Sequence, residues 1–324
     1  MKFKHWIVAS TMSLVVGGLT ASAAHAQHYP QRPVTIVVPF APGGSTDALA
    51  RIVAEGLSNE LGQRVVVANR PGAGGNIGMT AVANARPDGY TLVLVSSSLV
   101  INPSLYGSVS YDPVESFAPI SYVASAPSIW VANAGIGVES AQEMLERMAS
   151  GEMPYYGSPG IGTAQHLAGE LLAHYADISL EHVPYNGAGP AVAGMVAGDV
   201  PSGFSSLPGV QSQIDDGLLT PLAITTLQRS EQLPEVPTFD EIGLEGYEVD
   251  HLQGLLAPSD TPEEIVGIIH DALVEFMNSA ETSSRIAGLG FVPVVSTPRE
   301  FAEQIAEQVE KWSEIIGAAG ISVQ

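Results

Sequence analysis

The chain of 324 residues contains no cysteine. That excludes disulfides, zinc–thiolate sites and thiol catalysis. Positive charge is almost as scarce: 12 Lys+Arg stand against 34 Asp+Glu, a formal net charge of −22. Nucleic-acid binding and polybasic attachment to a membrane surface both need a basic face, so both are excluded. Charged residues make up only 14% and apolar residues 45%. Disorder needs the opposite balance and is excluded too. There is no internal repeat and no low-complexity segment. At about 150 residues per domain, the length points to two domains.

The N-terminus reads as an export signal. Lys2 and Lys4 precede an apolar run from Trp6 to about Thr20, and small residues lead to Ala24-His25-Ala26. A positive segment, an apolar segment and an A-x-A site predict a secretory signal peptide over residues 1–26, cleaved before Gln27. A membrane anchor would need about 20 apolar residues, and this run is shorter and carries Ser, Thr and Gly. Removing 26 residues from 324 leaves 298, and losing Lys2 and Lys4 takes the charge from −22 to −24. Lys311 is then the only lysine. Such a chain repels anions at long range, so an anionic ligand would have to be held by local dipoles.

Short β-type runs alternate with helical periodicity, which predicts an α/β fold with mainly parallel sheets. Val34-Thr35-Ile36-Val37-Val38 is a buried-strand run, followed by a turn and a helix over Ser45 to Leu61 with Leu49, Ile52, Val53, Leu57 and Leu61 on one face. Arg64 to Ala68 and Thr91 to Val95 are further strands. The segment Ala124 to Val131 suits a first crossing between domains, and Tyr247 to Leu256 a second. Thr261-Pro262-Glu263-Glu264 and Thr297-Pro298-Arg299-Glu300 both read as capping boxes, with Thr at N-cap, Pro at N1 and Glu at N3. In the helix after the second box, Phe301, Ile305, Val309, Trp312 and Ile316 form one apolar stripe.

Four glycine-rich loops carry the chemistry. The first, Pro39 to Asp47, lies between a strand and a helix. Its paired glycines allow close backbone approach, and the helix start offers free N–H groups to a carboxylate or phosphate. An ordinary strand-to-helix turn would read the same. The second, Asn69-Arg70-Pro71-Gly72-Ala73-Gly74-Gly75-Asn76-Ile77-Gly78, is spaced G-x-G-x-x-x-G and lacks the acidic partner of a dinucleotide fingerprint. Arg70 suits either a ligand carboxylate or a structural salt bridge. The third, Ser158 to Leu167, repeats the physics of the first in the other half of the chain. His166 there is either a capping histidine or a ligand contact. The fourth, Pro184 to Pro190, precedes another small-residue helix.

Catalytic signatures are missing. There is no G-x-S-x-G elbow, no Walker lysine and no H-E-x-x-H. His28, His166, His174, His182, His251 and His270 lack ligand spacing, which predicts no metal site. A secreted serine hydrolase using Ser45 or Ser158 with His166 is the rival reading. It would need an oriented base and an acidic third member, and the spacing supplies no such trio.

Taken in order, the motifs resemble one family. Pro39 to Asp47 with Ala48-Leu49-Ala50-Arg51, then Asn69 to Gly78, Pro87-Asp88-Gly89-Tyr90-Thr91, Gly160-Ile161-Gly162-Thr163 with His166-Leu167, and Val183-Pro184-Tyr185 are similar to the Bug-type extracytoplasmic solute receptors. These are the substrate-binding proteins of tripartite tricarboxylate transporters. The resemblance implies an α/β, type II periplasmic-binding-protein fold: two α/β domains, a hinge and an interdomain cleft closing like a Venus flytrap. Residues 27–126 plus 250–324 would form domain 1, and 127–249 domain 2. It implies a periplasmic monomer with no cofactor and no catalytic residue. Such a receptor captures a small-molecule carboxylate (a di- or tricarboxylate, an acidic amino acid or an aromatic carboxylate) and delivers it to membrane permease subunits. A receptor feeding a sensor kinase is the alternative within the binding class. Carried over residue by residue, Phe40, Pro42, Gly43, Gly44, Ser45 and Asp47 of the first loop and Ser158, Gly162, Thr163 and His166 of the third would line the cleft. Ser97, Tyr185, Phe204 and Ser205 would be neighbours. Ala68, Pro201 and Leu252 depart from the family pattern, where a glutamate, an aspartate and an aromatic are usual.

Overall fold

The structure, a computed structural model, describes residues 29–185, 187–230 and 232–320. The expected signal peptide and its cleavage site lie outside the described residues. Runs of branched side chains build the first sheet. Strands β1 (Val34–Val38), β2 (Val65–Asn69) and β3 (Thr91–Ser96) pair in parallel. They are linked by helices α1 (Ser45–Leu61) and α2 (Asn76–Ala83), and α3 (Ser98–Leu105) follows β3. The 3–4 spacing of α1 buries Leu49, Ile52, Val53 and Leu57, and Gly62, at φ 63°, supplies the left-handed residue that ends it. After β4 (Phe117–Ser125) the chain crosses into the second sheet. There follow β5 (Ser128–Asn133), α4 (Ala141–Ala149), β6 (Tyr155–Ser158), α5 (Ala164–Ala176), β7 (Glu181–Pro184), α6 (Ala188–Ala197), β8 (Ser202–Ser206), α7 (Leu207–Asp215) and β9 (Leu219–Ile224). The chain then returns through β10 (Gln253–Pro258), α8 (Glu263–Met277), α9 (Ala280–Gly288), β11 (Val292–Pro293) and α10 (Pro298–Ala319).

The strand orders are β11-β4-β10-β3-β1-β2 and β7-β6-β8-β5-β9. The expectation of mainly parallel sheets is corrected: both are mixed. β10 runs antiparallel to β3 and β4, and β5 antiparallel to β8 and β9. The cause is the double crossing, because a strand entering from the other domain starts at the edge where the parallel strands end. At the crossings Ala126 and His251 exchange backbone hydrogen bonds of 3.2 and 3.0 Å, and Pro127 bridges Asp250. The chain thus builds two α/β units, each around one sheet, joined by the two crossings.

One apolar cluster is shared by both domains. It runs from Val95, Leu105, Trp312 and Ile316 on the first-sheet side into Trp130, Leu171 and Phe204 on the other. The apolar stripe of α10 makes this possible, and its capping box at Thr297 and Glu300 is formed as expected. The box expected at Thr261 is not. Pro262 occupies the N-cap with ψ 134°, so α8 starts one residue later, and the buried Thr261 hydroxyl has no partner. Thr261 instead closes a turn, its N–H bonded to the Pro258 carbonyl at 3.0 Å. Among the described residues, no helix is long and apolar enough to cross a membrane.

Candidate functional site

The cleft edges follow from strand direction. The C-terminal ends of β1 and β3 on one domain, and of β6 and β8 on the other, point toward the crossings, where ligands of open α/β sheets collect. The first loop leaves β1 with Pro42, Gly43 and Gly44 exposed and Ser45 half-buried. Gly43 has φ +91°, and α1 begins without a side-chain cap, so its first N–H groups remain available to an anion. Phe40 is half-buried against the core, and its carbonyl accepts a bond from Asn69 Nδ2 at 3.1 Å.

Asp47 holds this loop from behind. It is 3% exposed, and its carboxylate accepts bonds from Gly43 N (3.0 Å), Asn69 Nδ2 (2.8 Å) and Arg51 Nε (3.0 Å). Burial alone would raise its pKa, but the Arg51, Gly43 and Asn69 hydrogen bonds and the Arg51 charge outweigh burial and hold it below the usual carboxylate value. Asp47 therefore shapes the loop and presents no free oxygen for a ligand. Ser97 is likewise committed: its hydroxyl donates to the Asp250 carbonyl at 3.0 Å and accepts from Leu252 N at 2.9 Å, pinning the end of β3 to the second crossing.

In the third loop, Thr163 caps α5, accepting from His166 N at 3.2 Å and donating to the Gly160 carbonyl at 2.7 Å. His166 completes the cap: its Nδ1 accepts from Gly162 N at 3.3 Å. The ring lies 4.2 Å from that of His182, centroid to centroid. Burial, then the neighbouring His182, lowers the His166 pKa to about 3, and burial lowers that of His182 to about 4. Both rings are neutral near pH 7 and carry no charge to an anion.

Ser158 is fully buried and bonds His182 Nε2 at 2.7 Å, not His166. The sequence offers no cue for this pairing. Tyr156 and His182 stand opposite in the β6–β7 register, and Ser158 reaches His182 along the diagonal. Glu170, the nearby carboxylate, receives the Tyr156 hydroxyl at 2.6 Å and lies 3.8 Å from His166. The pair that resembles a nucleophile and base is thus closed to solvent on the serine side.

The remaining predicted residues divide. Tyr185 is half-buried, its ring packed under Gly157 and Gly194. Phe204 is a correction: it is fully buried, stacked 6.2 Å from Trp130 and 6.1 Å from Phe239, and belongs to the apolar cluster that the two domains share. Ser205 is 1% exposed, and its hydroxyl, without a hydrogen-bond partner, stands 3.2 Å from where a Cβ on Gly209 would lie, in the first turn of α7. Arg70 is exposed and has no ion-pair partner among the described residues. Among the described residues, no group of three His, Asp or Glu is placed to hold a metal ion.

Residues 49–321 match the tripartite tricarboxylate transporter family receptor. The chain belongs to that family. Three solved structures extend the comparison. The periplasmic binding protein BugD is 34% identical, with a TM-score of 0.82 over 91% of this chain and 100% of its own. Rpa4515 of R. palustris with adipate is 31% identical, with a TM-score of 0.84 over 91% of this chain and 100% of its own. MatC from Rhodopseudomonas palustris with bound malate is 28% identical, with a TM-score of 0.81 over 89% of this chain and 100% of its own. The Bug-type resemblance and the periplasmic-binding-protein fold are thereby shown, and the structural relatives are solute-binding proteins.

Proposed function

We propose that this chain is a periplasmic receptor that captures a small organic carboxylate for the permease of a tripartite tricarboxylate transporter. The observation that carries the reading is the uncapped start of α1 behind an exposed Gly43-Gly44 turn. It is a site for a carboxylate built from backbone N–H groups in a chain almost without lysine. The third loop closes the cleft from domain 2, with boundaries at 126/127 and 249/250. Adipate and malate in two structural relatives support a carboxylate ligand. A ligand that touches both domains favours the closed state by its differential contacts, which gives the permease a form to recognise. The buried Ser158–His182 pair supports a binding role without catalysis: a nucleophile sealed from the cleft meets no substrate.

The test is a thermal-shift titration of the mature protein against di- and tricarboxylates, acidic amino acids and aromatic carboxylates, with sugars and cations as controls. The matching ligand stabilises by mass action, by about 2.7 kcal/mol at a hundred times its Kd. Stabilisation by a sugar or cation and by no carboxylate overturns the reading.

A further inference from the structure

The second glycine loop is the motif that carboxylate capture leaves without a task. Gly75 and Gly78 are buried and Gly74 is half-buried, while Gly72 is exposed. Gly74 takes φ +63°, and a Cβ there would come within 2.6 Å of the Tyr106 hydroxyl and 3.3 Å of Asn102 Nδ2. Asn102, on α3, donates through Nδ2 to the Gly74 carbonyl (3.0 Å) and to Asn76 Oδ1 (2.7 Å), which also receives the Tyr111 hydroxyl at 3.1 Å. These bonds fix which way the Asn102 amide points. Its Oδ1 is then left without a hydrogen-bond partner although the residue is fully buried. Buried acceptors are normally satisfied, so this one calls for a physical reason.

What faces it belongs to the other domain. A Cβ on Gly162, in the third loop, would lie 3.5 Å from Asn102 Oδ1, 3.2 Å from Leu105 Cδ2 and 3.7 Å from Tyr106 Cε2. Gly162 takes φ +80°, so the loop approaches α3 through a residue with no side chain. Just beyond it begins α5, whose N-terminus carries partial positive charge. A buried oxygen without a hydrogen-bond partner thus stands against the loop that leads into the N-terminus of α5.

We propose that Asn102 is a positioning residue for ligand capture: from domain 1 it fixes the third loop of domain 2, and the second loop orients it to do so. The glycine-rich second loop then acts on the site at one remove, as a buttress instead of a ligand cradle. This rests on the third loop being part of the carboxylate site, but the contact itself can be read without ligand.

Because the chain has no cysteine, Glu60→Cys on α1 and Glu152→Cys after α4, both at exposed positions, accept spin labels uniquely. Pulsed EPR distances between them are compared, ligand-free, in the parent and in Asn102→Leu. The expected result is a shift to longer, broader distances, with the short-distance population reduced in the variant. Gly162→Ala is the second variant, since it pushes the loop from α3 while leaving every bond of Asn102 to the second loop intact; the same lengthening is expected. Unchanged distances in either folded variant overturn the proposal, even where the melting temperature falls. The carboxylate titration separates the two readings. Lengthened distances without carboxylate binding reject the function and keep the positioning role; carboxylate affinity with unchanged distances does the reverse.

Discussion

Asp47 and Arg51 sit one turn apart on α1, and the guanidinium grips the carboxylate through two bonds of 3.0 and 3.1 Å. The same carboxylate holds the Gly43 N–H and Asn69, so one side chain ties helix, glycine turn and second strand together. Asp47→Ala removes all these acceptors at once. Loss of a buried, charged hydrogen-bond hub predicts destabilisation of about 1–3 kcal/mol and a weaker ligand response, read by denaturant unfolding and by carboxylate titration of the same variant. The folded-state pKa of Asp47 lies below its ordinary value, so its contribution is present above about pH 4 and disappears as pH falls through the folded pKa. Parent and variant should therefore converge in stability below that range.

One buried histidine, His166, and two half-buried ones, His182 and His251, make the protein acid-sensitive over a higher window. Burial lowers His166 to about 3 and His182 and His251 to about 4. Between an unfolded value near 6.5 and these folded values the unfolded chain binds more protons, so stability falls as pH drops from 6.5 toward 4. His182→Phe keeps the stack on Tyr156, which has its rings 4.9 Å apart, and removes one titrating group. Its melting temperature should fall less steeply between pH 6.5 and 4.5 than that of the parent; parallel slopes would count against neutral, buried rings.

Asp250 works in the opposite direction. Burial raises its pKa to about 6, against the Tyr122 hydroxyl at 2.6 Å and the His251 N–H at 2.7 Å, which favour the charged form. Tyr122→Phe removes the shorter of these donors at the second crossing. Above pH 6 the carboxylate is charged and loses most, so the variant should be destabilised by about 1–3 kcal/mol at pH 8 and by less at pH 5. Denaturant melts at the two pH values check this, and an equal loss at both would show that the hydroxyl acts by packing alone.

How far the sequence reveals the site depends on whether an interaction is local. The limits of α1 were legible because its face repeats every three to four residues and Gly62 closes it. The Asp47–Arg51 pair is also written locally, at the i,i+4 spacing, yet resemblance alone places Asp47 on the ligand. Phe204 could not be sorted by period, since β8 is covered on both faces and an alternating pattern is lost. Ser158–His182 and Asn102–Gly162 depend on strand register and domain contact, and neither leaves a trace in spacing. Phe204→Leu should accordingly lower stability by about 1–3 kcal/mol while the carboxylate Kd stays unchanged; a tenfold loss of affinity at constant fold would return Phe204 to the cleft.

Acidic residues far outnumber the 12 Lys and Arg available to pair with them. Among the described residues, eight carboxylates take a Lys or Arg partner within 4.0 Å, against 34 acidic residues in the chain. Most of the pairs are exposed, and such pairs contribute about 0–1 kcal/mol each, so screening them loses little. The remaining carboxylates repel one another over a Debye length that shrinks from about 10 Å at 0.1 M salt to about 3 Å at 1 M. Repulsion relieved should exceed attraction lost, and the melting temperature should rise with sodium chloride from 0.05 to about 1 M, most steeply at the low end. Potassium chloride should act alike, since the mechanism is screening and not a specific sodium site. A melting temperature that is flat or falls over this range would mean that the acidic residues are spaced widely enough to ignore one another.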